Sequence, residues 1–422
     1  MKKKIQHFSR SIGDYLSRIL RTDANYLLRG SFWLTFEKVS SSVLAIFSSV
    51  LLANFFNKNE YGDYKYIFIL GSLFDIAGLR GASQTISRAA SRNEDGILQK
   101  ITSLQIRWAS LSLVLAIIFS IYYLLHGNYT LGLSLFFLGI NRPFFLAFRN
   151  YQQYLIGKKI FKTFFLWSLL DAIFSLVLLL SSLFLTKNVI VIIGITAFGS
   201  LLTSYYFYSK TKKYFVLNEN TASGFLKESF HFSFLEVINI IAGQIDKLVL
   251  YNFYGSEALA IYAIAQAFPT QAYVLMKSIT ATFIPKLTNR TRLEIVKSFN
   301  IRIIQALSFG GFVTLAYILL APSVIRIFFP KYIDAIFYSQ ILSLDLCLAI
   351  AVGYIGAIVV SQKMIRENYL FSISGNFIRI ALCLVFGFFG GVKAILFAVL
   401  FSRFTATIYQ IITCKARITK ST

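Results

Sequence analysis

The stretch Leu51–Arg92, LLANFFNKNEYGDYKYIFILGSLFDIAGLRGASQTISRAASR, contains an apolar segment long enough to cross a lipid bilayer. Two charged residues, Asp75 and Arg80, lie inside that segment. Even on translocon insertion scales, each charge costs about 2.5–3.5 kcal/mol at the centre of a membrane helix. The segment is therefore predicted to face a polar interior, which is typical of proteins that move polar solutes across a membrane.

The rest of the chain has the composition of an integral membrane protein. Of its 422 residues 56% are hydrophobic and the mean hydropathy is +0.66, whereas soluble proteins average roughly 45–50% apolar residues. The predicted fold is all-α, with about twelve transmembrane helices. These are placed near residues 30–54, 64–87, 104–125, 131–150, 164–186, 188–208, 232–253, 258–283, 300–322, 336–360, 367–388 and 391–412.

The basic residues predict the orientation of these spans. The net charge is +24, and 28 of the 42 Lys and Arg residues fall in the termini and in loops on one side, against 6 on the other side and 8 within spans. Because Lys and Arg are retained on the inner side, both termini are predicted to be cytoplasmic. The basic surplus also meets anionic membrane lipids, so no nucleic acid partner is needed to explain it.

Five regions are predicted along the chain. Residues 1–29 form a cytoplasmic amphipathic segment, because apolar residues recur in them at three- and four-residue spacing among basic ones. An N-terminal six-helix half (30–210) is followed by a cytoplasmic linker (211–231). A C-terminal six-helix half (232–412) and a cytoplasmic tail (413–422) complete the chain.

An internal repeat supports the two halves. Residues 49–64 and 247–262 align without gaps at an offset of 198, and Leu52/Leu250, Asn54/Asn252, Phe55/Phe253 and Tyr64/Tyr262 are identical. An even number of spans per half relates the halves by a pseudo-two-fold axis along the membrane normal, with a substrate path between them. This arrangement favours alternating access by rocking of one half against the other.

No motif for a cofactor, a metal or catalysis is present. The sequence lacks GxxxxGK[ST], GxSxG and HExxH, and its three histidines lie far apart. Cys347, Cys383 and Cys414 occur in apolar segments without CxxC spacing. The sequence therefore predicts a protein that is not an enzyme and has neither a cofactor nor a metal.

Basic residues within the spans are the candidate substrate-binding groups. They are Arg80, Lys277, Lys38, Arg142 and Arg379. The first four are predicted in the cytoplasmic halves of their helices, where convergence would create a cationic vestibule. Guanidinium groups bind phosphate in a bidentate manner, so this vestibule would suit a pyrophosphate or an acidic sugar. The alternative is that these residues form structural ion pairs with Asp75, Asp171 and Glu37.

A second set is assigned to ion coupling or charge pairing, namely Asp75, Asp246, Lys247, Asp171 and Glu37. Residues pair best along one helix at spacings of three or four. The neighbours Glu37–Lys38 and Asp246–Lys247, and the more distant Asp75–Arg80, are therefore predicted to find partners on other helices, in water or in a charged substrate. Desolvated carboxylates change protonation readily, so Asp75 and Asp246 are candidates for binding a coupling H⁺ or Na⁺.

Five short motifs carry a family resemblance: EYGDY (60–64), AGL (77–79), QIDKLVL (244–250), AIYAIA (260–265) and FIPKL (283–287). They resemble motifs of bacterial polysaccharide flippases, the exporters of lipid-linked O-antigen or capsule repeat units within the multidrug/oligosaccharidyl-lipid/polysaccharide (MOP) superfamily. The sequence departs from these motifs where 57–59 (NKN) replaces the usual Gly-Pro and where Ala260 replaces a Gly.

This resemblance implies a function and partners. The protein would flip an undecaprenyl-pyrophosphate-linked oligosaccharide across the inner membrane, for surface polysaccharides such as O-antigen lipopolysaccharide or capsule. A polysaccharide polymerase and a chain-length regulator are the implied partners.

Three other functions are alternatives to oligosaccharide flipping. A cation-coupled multidrug exporter of the same superfamily is the main alternative, because it shares the fold. A membrane polymerase or ligase is disfavoured, since the longest outer loop (323–335) offers only Arg326, Lys331 and Asp334. A lipid-II-type flippase would have fourteen spans.

Overall fold

The computed structural model describes residues 24–221, 223–280, 283, 287–288, 290–362 and 364–420, and these residues are almost entirely helical. Most of the predicted amphipathic segment 1–29 lies outside this range. The helices are α1 (Ala24–Phe55), α2 (Lys58–Phe74), α3 (Ala82–Ser91), α4 (Ile97–Leu125), α5 (Tyr129–Phe148), α6 (Asn150–Gly157), α7 (Phe161–Leu185), α8 (Val189–Phe215), α9 (Phe225–Thr280), α10 (Arg292–Phe328), α11 (Ala335–Leu342), α12 (Leu344–Ser361), α13 (Ile365–Phe389) and α14 (Gly391–Lys420).

Among the described residues, nine helical segments are long and apolar enough to cross a membrane, or ten when the bent pair α2–α3 counts as one span. Helix α9 supplies two more, because Gly255 breaks it with a φ of 83°. The Tyr262 hydroxyl donates a hydrogen bond to Asp246, yet sixteen residues of continuous helix would separate these groups by about 24 Å. The chain therefore folds back at Gly255 as a hairpin. The all-α prediction with about twelve spans is confirmed.

The break between α2 and α3 explains why Asp75 and Arg80 pair with each other, which the sequence analysis did not expect. A 3₁₀ turn (Asp75–Gly78) follows α2, and Leu79 then adopts a left-handed conformation with a φ of 48°. The buried Gln105 amide donates a hydrogen bond to the Leu79 carbonyl at 3.0 Å and so supports the turn. The chain bends by 59° here, and Arg80 reaches back to Asp75, with Nη1 3.3 Å from Oδ2.

In two cases, contrary to the expectation, the charge nearby in the sequence does serve as a partner, although Asp75 also pairs with Arg142 of another helix. Asp75 and Arg80 pair because the helix between them is broken. Lys38 lies 3.2 Å from the carboxylate of Glu37, because its half-exposed, flexible side chain can turn back along its own helix. For Asp246 the expectation is confirmed, since its cationic partner Arg379 lies on α13.

The two halves, α1–α8 and α9–α14, meet closely at the end of the bundle that the sequence predicts to be outside. A Cβ atom on Gly62 would lie 2.0 Å from the Ser256 carbonyl oxygen, so only glycine permits this approach. Lys58 pairs with both Glu257 and Asp334, at 3.0 and 3.3 Å. These contacts hold the halves together at this end.

Lys331 strengthens the same junction. Its ammonium group donates hydrogen bonds to the carbonyls of Asn54 and Phe56 at the C-terminal end of α1, at 2.6 and 3.1 Å. Cations are favourable at a helix C-terminus, because the last carbonyls lack intrahelical partners.

The repeat-related asparagines both cross between the halves. Asn54 donates to the Phe328 carbonyl at 2.8 Å, and Asn252 donates to the Tyr66 hydroxyl at 3.3 Å. Each amide also bonds the carbonyl four residues back in its own helix. Equivalent positions of the two halves thus both carry an amide that bonds the opposite half, although the acceptor groups differ.

Candidate substrate cavity in the second half

Each half contains an internal cavity. The cavity of the first half measures about 340 Å³ and is lined mainly by apolar side chains of α1, α2, α5, α7 and α8. Its charged lining residue is Arg142, which shares the wall with residues such as Ser48, Leu52 and Phe68.

Arg142 is held by a buried carboxylate. Its Nε and Nη2 lie 2.7 and 2.8 Å from the two oxygens of Asp75, which is a bidentate pair. Arg80 adds a third contact to Asp75, which is only 3% exposed. Both carboxylate oxygens are therefore occupied, and the planar guanidinium is fixed in one orientation. This geometry braces α5 against the broken helix α2–α3.

The cavity of the second half is smaller, at about 240 Å³, and more polar. Its lining includes three cationic side chains but one carboxylate, with an amide and a phenol beside them: Lys247, Arg379, Arg403, Asp345, Gln266 and Tyr273.

Asp246 lies directly behind this lining and is fully buried. Its Oδ2 accepts hydrogen bonds from Tyr262 at 2.5 Å, from Arg379 at 3.1 Å and, at 3.4 Å, from Gln266. Its Oδ1 has no hydrogen-bond partner among the described residues, nor does Nε of Arg379. Unlike the Asp75 network, this one is only half satisfied.

Arg403 extends the half-satisfied cluster. Its nearest carboxylate oxygen, on Asp345, is 3.7 Å from Nε, so the two form an ion pair without a hydrogen bond. Lys247 donates a hydrogen bond to the amide oxygen of Gln244 at 3.1 Å. Buried polar atoms are nearly always hydrogen-bonded, and exceptions mark places that need an explanation. The atoms of this cluster that have no hydrogen-bond partner among the described residues are Oδ1 of Asp246 and the Nε atoms of Arg379 and Arg403.

The structure separates the residues predicted to form one vestibule. Arg80 and Arg142 share Asp75, whereas Lys38 lies beside Glu37. Lys277 lines a different cavity of about 350 Å³ in the second half, beside Gly353, Asn368 and Gln410.

Two other predicted residues make contacts outside the cationic cluster. Asp171 accepts a hydrogen bond from Thr203 between α7 and α8. Glu37 also accepts one from Ser41 at 3.0 Å. Of the five predicted substrate-binding residues, Arg379 is the one that lines the second-half cavity.

Sequence reasoning left four lining residues of this cavity unassigned. Arg403 and Asp345 carry charge within predicted spans, which is the signal that could have included them. Gln266 and Tyr273 have no comparable signal, because uncharged polar and aromatic residues occur throughout the spans. Within the described ranges, no group of three or more His, Cys, Asp or Glu residues could hold a metal ion.

The comparisons with known proteins agree on the class of protein. The family described as "Polysaccharide biosynthesis protein" matches residues 27–290. An inward-facing multidrug resistance MATE family transporter of the MOP superfamily has a TM-score of 0.69 at 14% identity, over 92% of this chain and 98% of that chain. An outward-facing structure of such a transporter has a TM-score of 0.63 at 15% identity, over 94% and 96%.

A MOP superfamily transporter from Pyrococcus furiosus, reported for the reverse polarity of its binding pocket, has a TM-score of 0.61 at 13% identity, over 93% of this chain and 95% of that chain. No curated protein matches the sequence.

The fold is therefore that of the MOP superfamily of multi-pass membrane transporters. Within that class, the chain belongs to the polysaccharide biosynthesis protein family, which confirms the predicted relationship to MOP-superfamily polysaccharide flippases.

Proposed function

We propose that this transporter flips an undecaprenyl-pyrophosphate-linked oligosaccharide across the bacterial inner membrane by alternating access, for the synthesis of a surface polysaccharide. The observation that carries the proposal is the half-satisfied cationic cluster of Lys247, Arg379 and Arg403 in a transporter of this family. A pyrophosphate supplies several anionic acceptors, and guanidinium groups bind such acceptors with directional hydrogen bonds. The lipid tail would remain in the bilayer while the charged head group passes through the protein.

Transport in this scheme requires the junction between the halves to open and close. In the described conformation, the contacts of Gly62, Lys58 and Lys331 close the predicted outer end. Release to the outer side would require these contacts to break. The orientation with cytoplasmic termini is part of this proposal, as is assembly with a polymerase and a chain-length regulator.

We further propose Asp246 as the site of a coupling H⁺ or Na⁺. Among the described residues its Oδ1 has no hydrogen-bond partner, and its Oδ2 is paired with Arg379, so this carboxylate has one oxygen that a proton or an ion would satisfy. Protonation would weaken the pair and release Arg379 towards the substrate. This step couples the charge of one buried carboxylate to the anion affinity of the cavity.

The test is a flipping assay in proteoliposomes, with a fluorescently labelled undecaprenyl-pyrophosphate oligosaccharide as substrate. The double variant Lys247→Gln/Arg403→Gln should reduce the initial rate at least tenfold. The matched control Arg107→Gln/Lys162→Gln removes the same charge from exposed positions of the first half and should keep the wild-type rate. Equal rates for both variants would overturn the role of the cationic cluster.

Multidrug export is the second candidate, favoured by the fold shared with the MATE transporters. The same proteoliposomes, loaded with a fluorescent cationic drug and given a H⁺ or Na⁺ gradient, separate the two functions. Drug export without oligosaccharide flipping would replace the proposed function.

A further inference from the structure

A third region of the second half has the features of a lipid site. A cavity of about 370 Å³ lies between α10, α12 and the residues that follow α9. Its lining consists of Phe283, Leu287, Arg290, Arg302, Gln305, Ala306, Phe309, Ile350 and Tyr354. None of these residues lines the substrate cavity or the cavity of the first half.

Two arginines in this cavity have no counter-charge. Within the described ranges, neither Arg290 nor Arg302 has a carboxylate at ion-pair distance, and both line the same cavity as Tyr354. That hydroxyl is buried without a hydrogen-bond partner, and the neighbouring Ser298 hydroxyl donates instead to the Glu294 carbonyl at 3.0 Å. The cavity thus presents two cations and one buried hydroxyl for which the described part of the chain supplies no acceptor.

Polarity changes in one direction along the cavity. Arg302, Gln305 and Phe309 are exposed at helical spacing on α10, so one face of the helix carries them in sequence. Arg302 and Phe309 are seven residues apart, which places them about 10 Å apart along the helix axis. The arginine lies nearer the end predicted to be cytoplasmic, and the phenyl group lies deeper. Exposed Ile304 and Phe312 continue the apolar side of the helix.

We propose that this cavity binds one anionic phospholipid of the cytoplasmic leaflet, with its phosphate between Arg290 and Arg302 and an acyl chain along Phe309. Basic pockets between transmembrane helices on the cytoplasmic side are suited to acidic head groups. A soluble phosphate would leave the apolar part of the cavity unused. The N-terminal residues 1–23 are a poor fit, because they carry six Lys and Arg residues against two Asp. This proposal concerns a site apart from the substrate cavity and stands independently of the transported substrate.

The experiment measures the thermal midpoint of the purified full-length chain in detergent during titration with dioleoyl-phosphatidylglycerol or dioleoyl-phosphatidylcholine. Wild type should show a saturable rise with the anionic lipid that exceeds the rise with the zwitterionic lipid. The double variant Arg290→Gln/Arg302→Gln should lose this difference. The control Lys212→Gln/Lys213→Gln, which removes two exposed charges at the end of α8, should retain it.

Native mass spectrometry provides a second measurement that does not depend on the stability of the variant. It should count one fewer retained phosphatidylglycerol on the Arg290→Gln/Arg302→Gln protein than on wild type. An unchanged count would overturn the proposal. A rise in thermal midpoint that inorganic phosphate reproduces would also overturn it, because the cavity would then bind a free anion. So would a rise that undecaprenyl phosphate abolishes by competing more strongly than phosphatidylglycerol, because the cavity would then bind the substrate lipid.

Discussion

Each half of the transporter buries an aspartate–arginine pair, and the two pairs differ in how completely they are satisfied. Asp75 uses both oxygens, in a bidentate contact with Arg142 and a further contact with Arg80. Asp246 uses one oxygen, and Arg379 leaves its Nε without a partner. A saturated pair fixes two helices, whereas an unsaturated one retains capacity for a ligand. Burial of charge alone therefore does not identify the functional site.

The repeat locates the origin of this difference in the sequence. At the 198-residue offset, Asp246 and Gln266 correspond to Ser48 and Phe68, and both of the latter line the first-half cavity. The first half thus has a hydroxyl and a phenyl ring where the second half has a carboxylate and an amide. The same helical arrangement therefore encloses a mainly apolar cavity in the first half and a cationic cavity in the second half.

The largest expected effect is on stability, in the first half. Asp75→Ala should lower the free energy of unfolding by about 3–5 kcal/mol, because Arg142 would be left as a buried charge without its carboxylate. Unfolding in mixed detergent–SDS micelles measures this change. The double variant Asp75→Leu/Arg142→Met should recover most of the loss, since an apolar pair can replace a buried ion pair. If the double variant is stable but does not flip substrate, the first-half pair has more than a bracing role.

The second prediction concerns the unsaturated pair. Asp246→Asn should lower the free energy of unfolding by about 3 kcal/mol, because Arg379 is left as a buried charge while the amide oxygen still accepts the Tyr262 hydrogen bond. The flipping rate should nevertheless fall at least tenfold, since Asp246 is the proposed coupling site. The free energy of unfolding and the flipping rate are measured on the same purified protein. A rate that falls only in proportion to the folded fraction would make this pair structural, like Asp75–Arg142.

The sequence predicted the architecture well, because twelve long apolar blocks and the distribution of Lys and Arg are strong signals. It identified Asp246 and Arg379 as intramembrane charges for the same reason. It could not distinguish the saturated pair from the unsaturated one, since that depends on the break at Leu79, which returns Arg80 to Asp75. Leu79 is not a residue type that favours a left-handed conformation, and the nearby Gly78 and Gly81 do not identify it as the position of the turn. The contributions of Gln266 and Tyr273 likewise arise only when the chain folds back at Gly255.

The smallest expected effect tests whether the repeat has truly diverged. Ser48→Ala removes a hydroxyl that donates to the Leu44 carbonyl of its own helix at 2.9 Å. Such a local bond contributes little, so the free energy of unfolding should change by no more than about 0.5 kcal/mol. Because Ser48 occupies the position that Asp246 holds in the second half, an unchanged flipping rate, measured beside Asp246→Asn, would assign the chemistry to one half. A comparable loss of rate at Ser48 would mean that the apolar cavity also contacts the substrate, and the contrast between the halves would not hold.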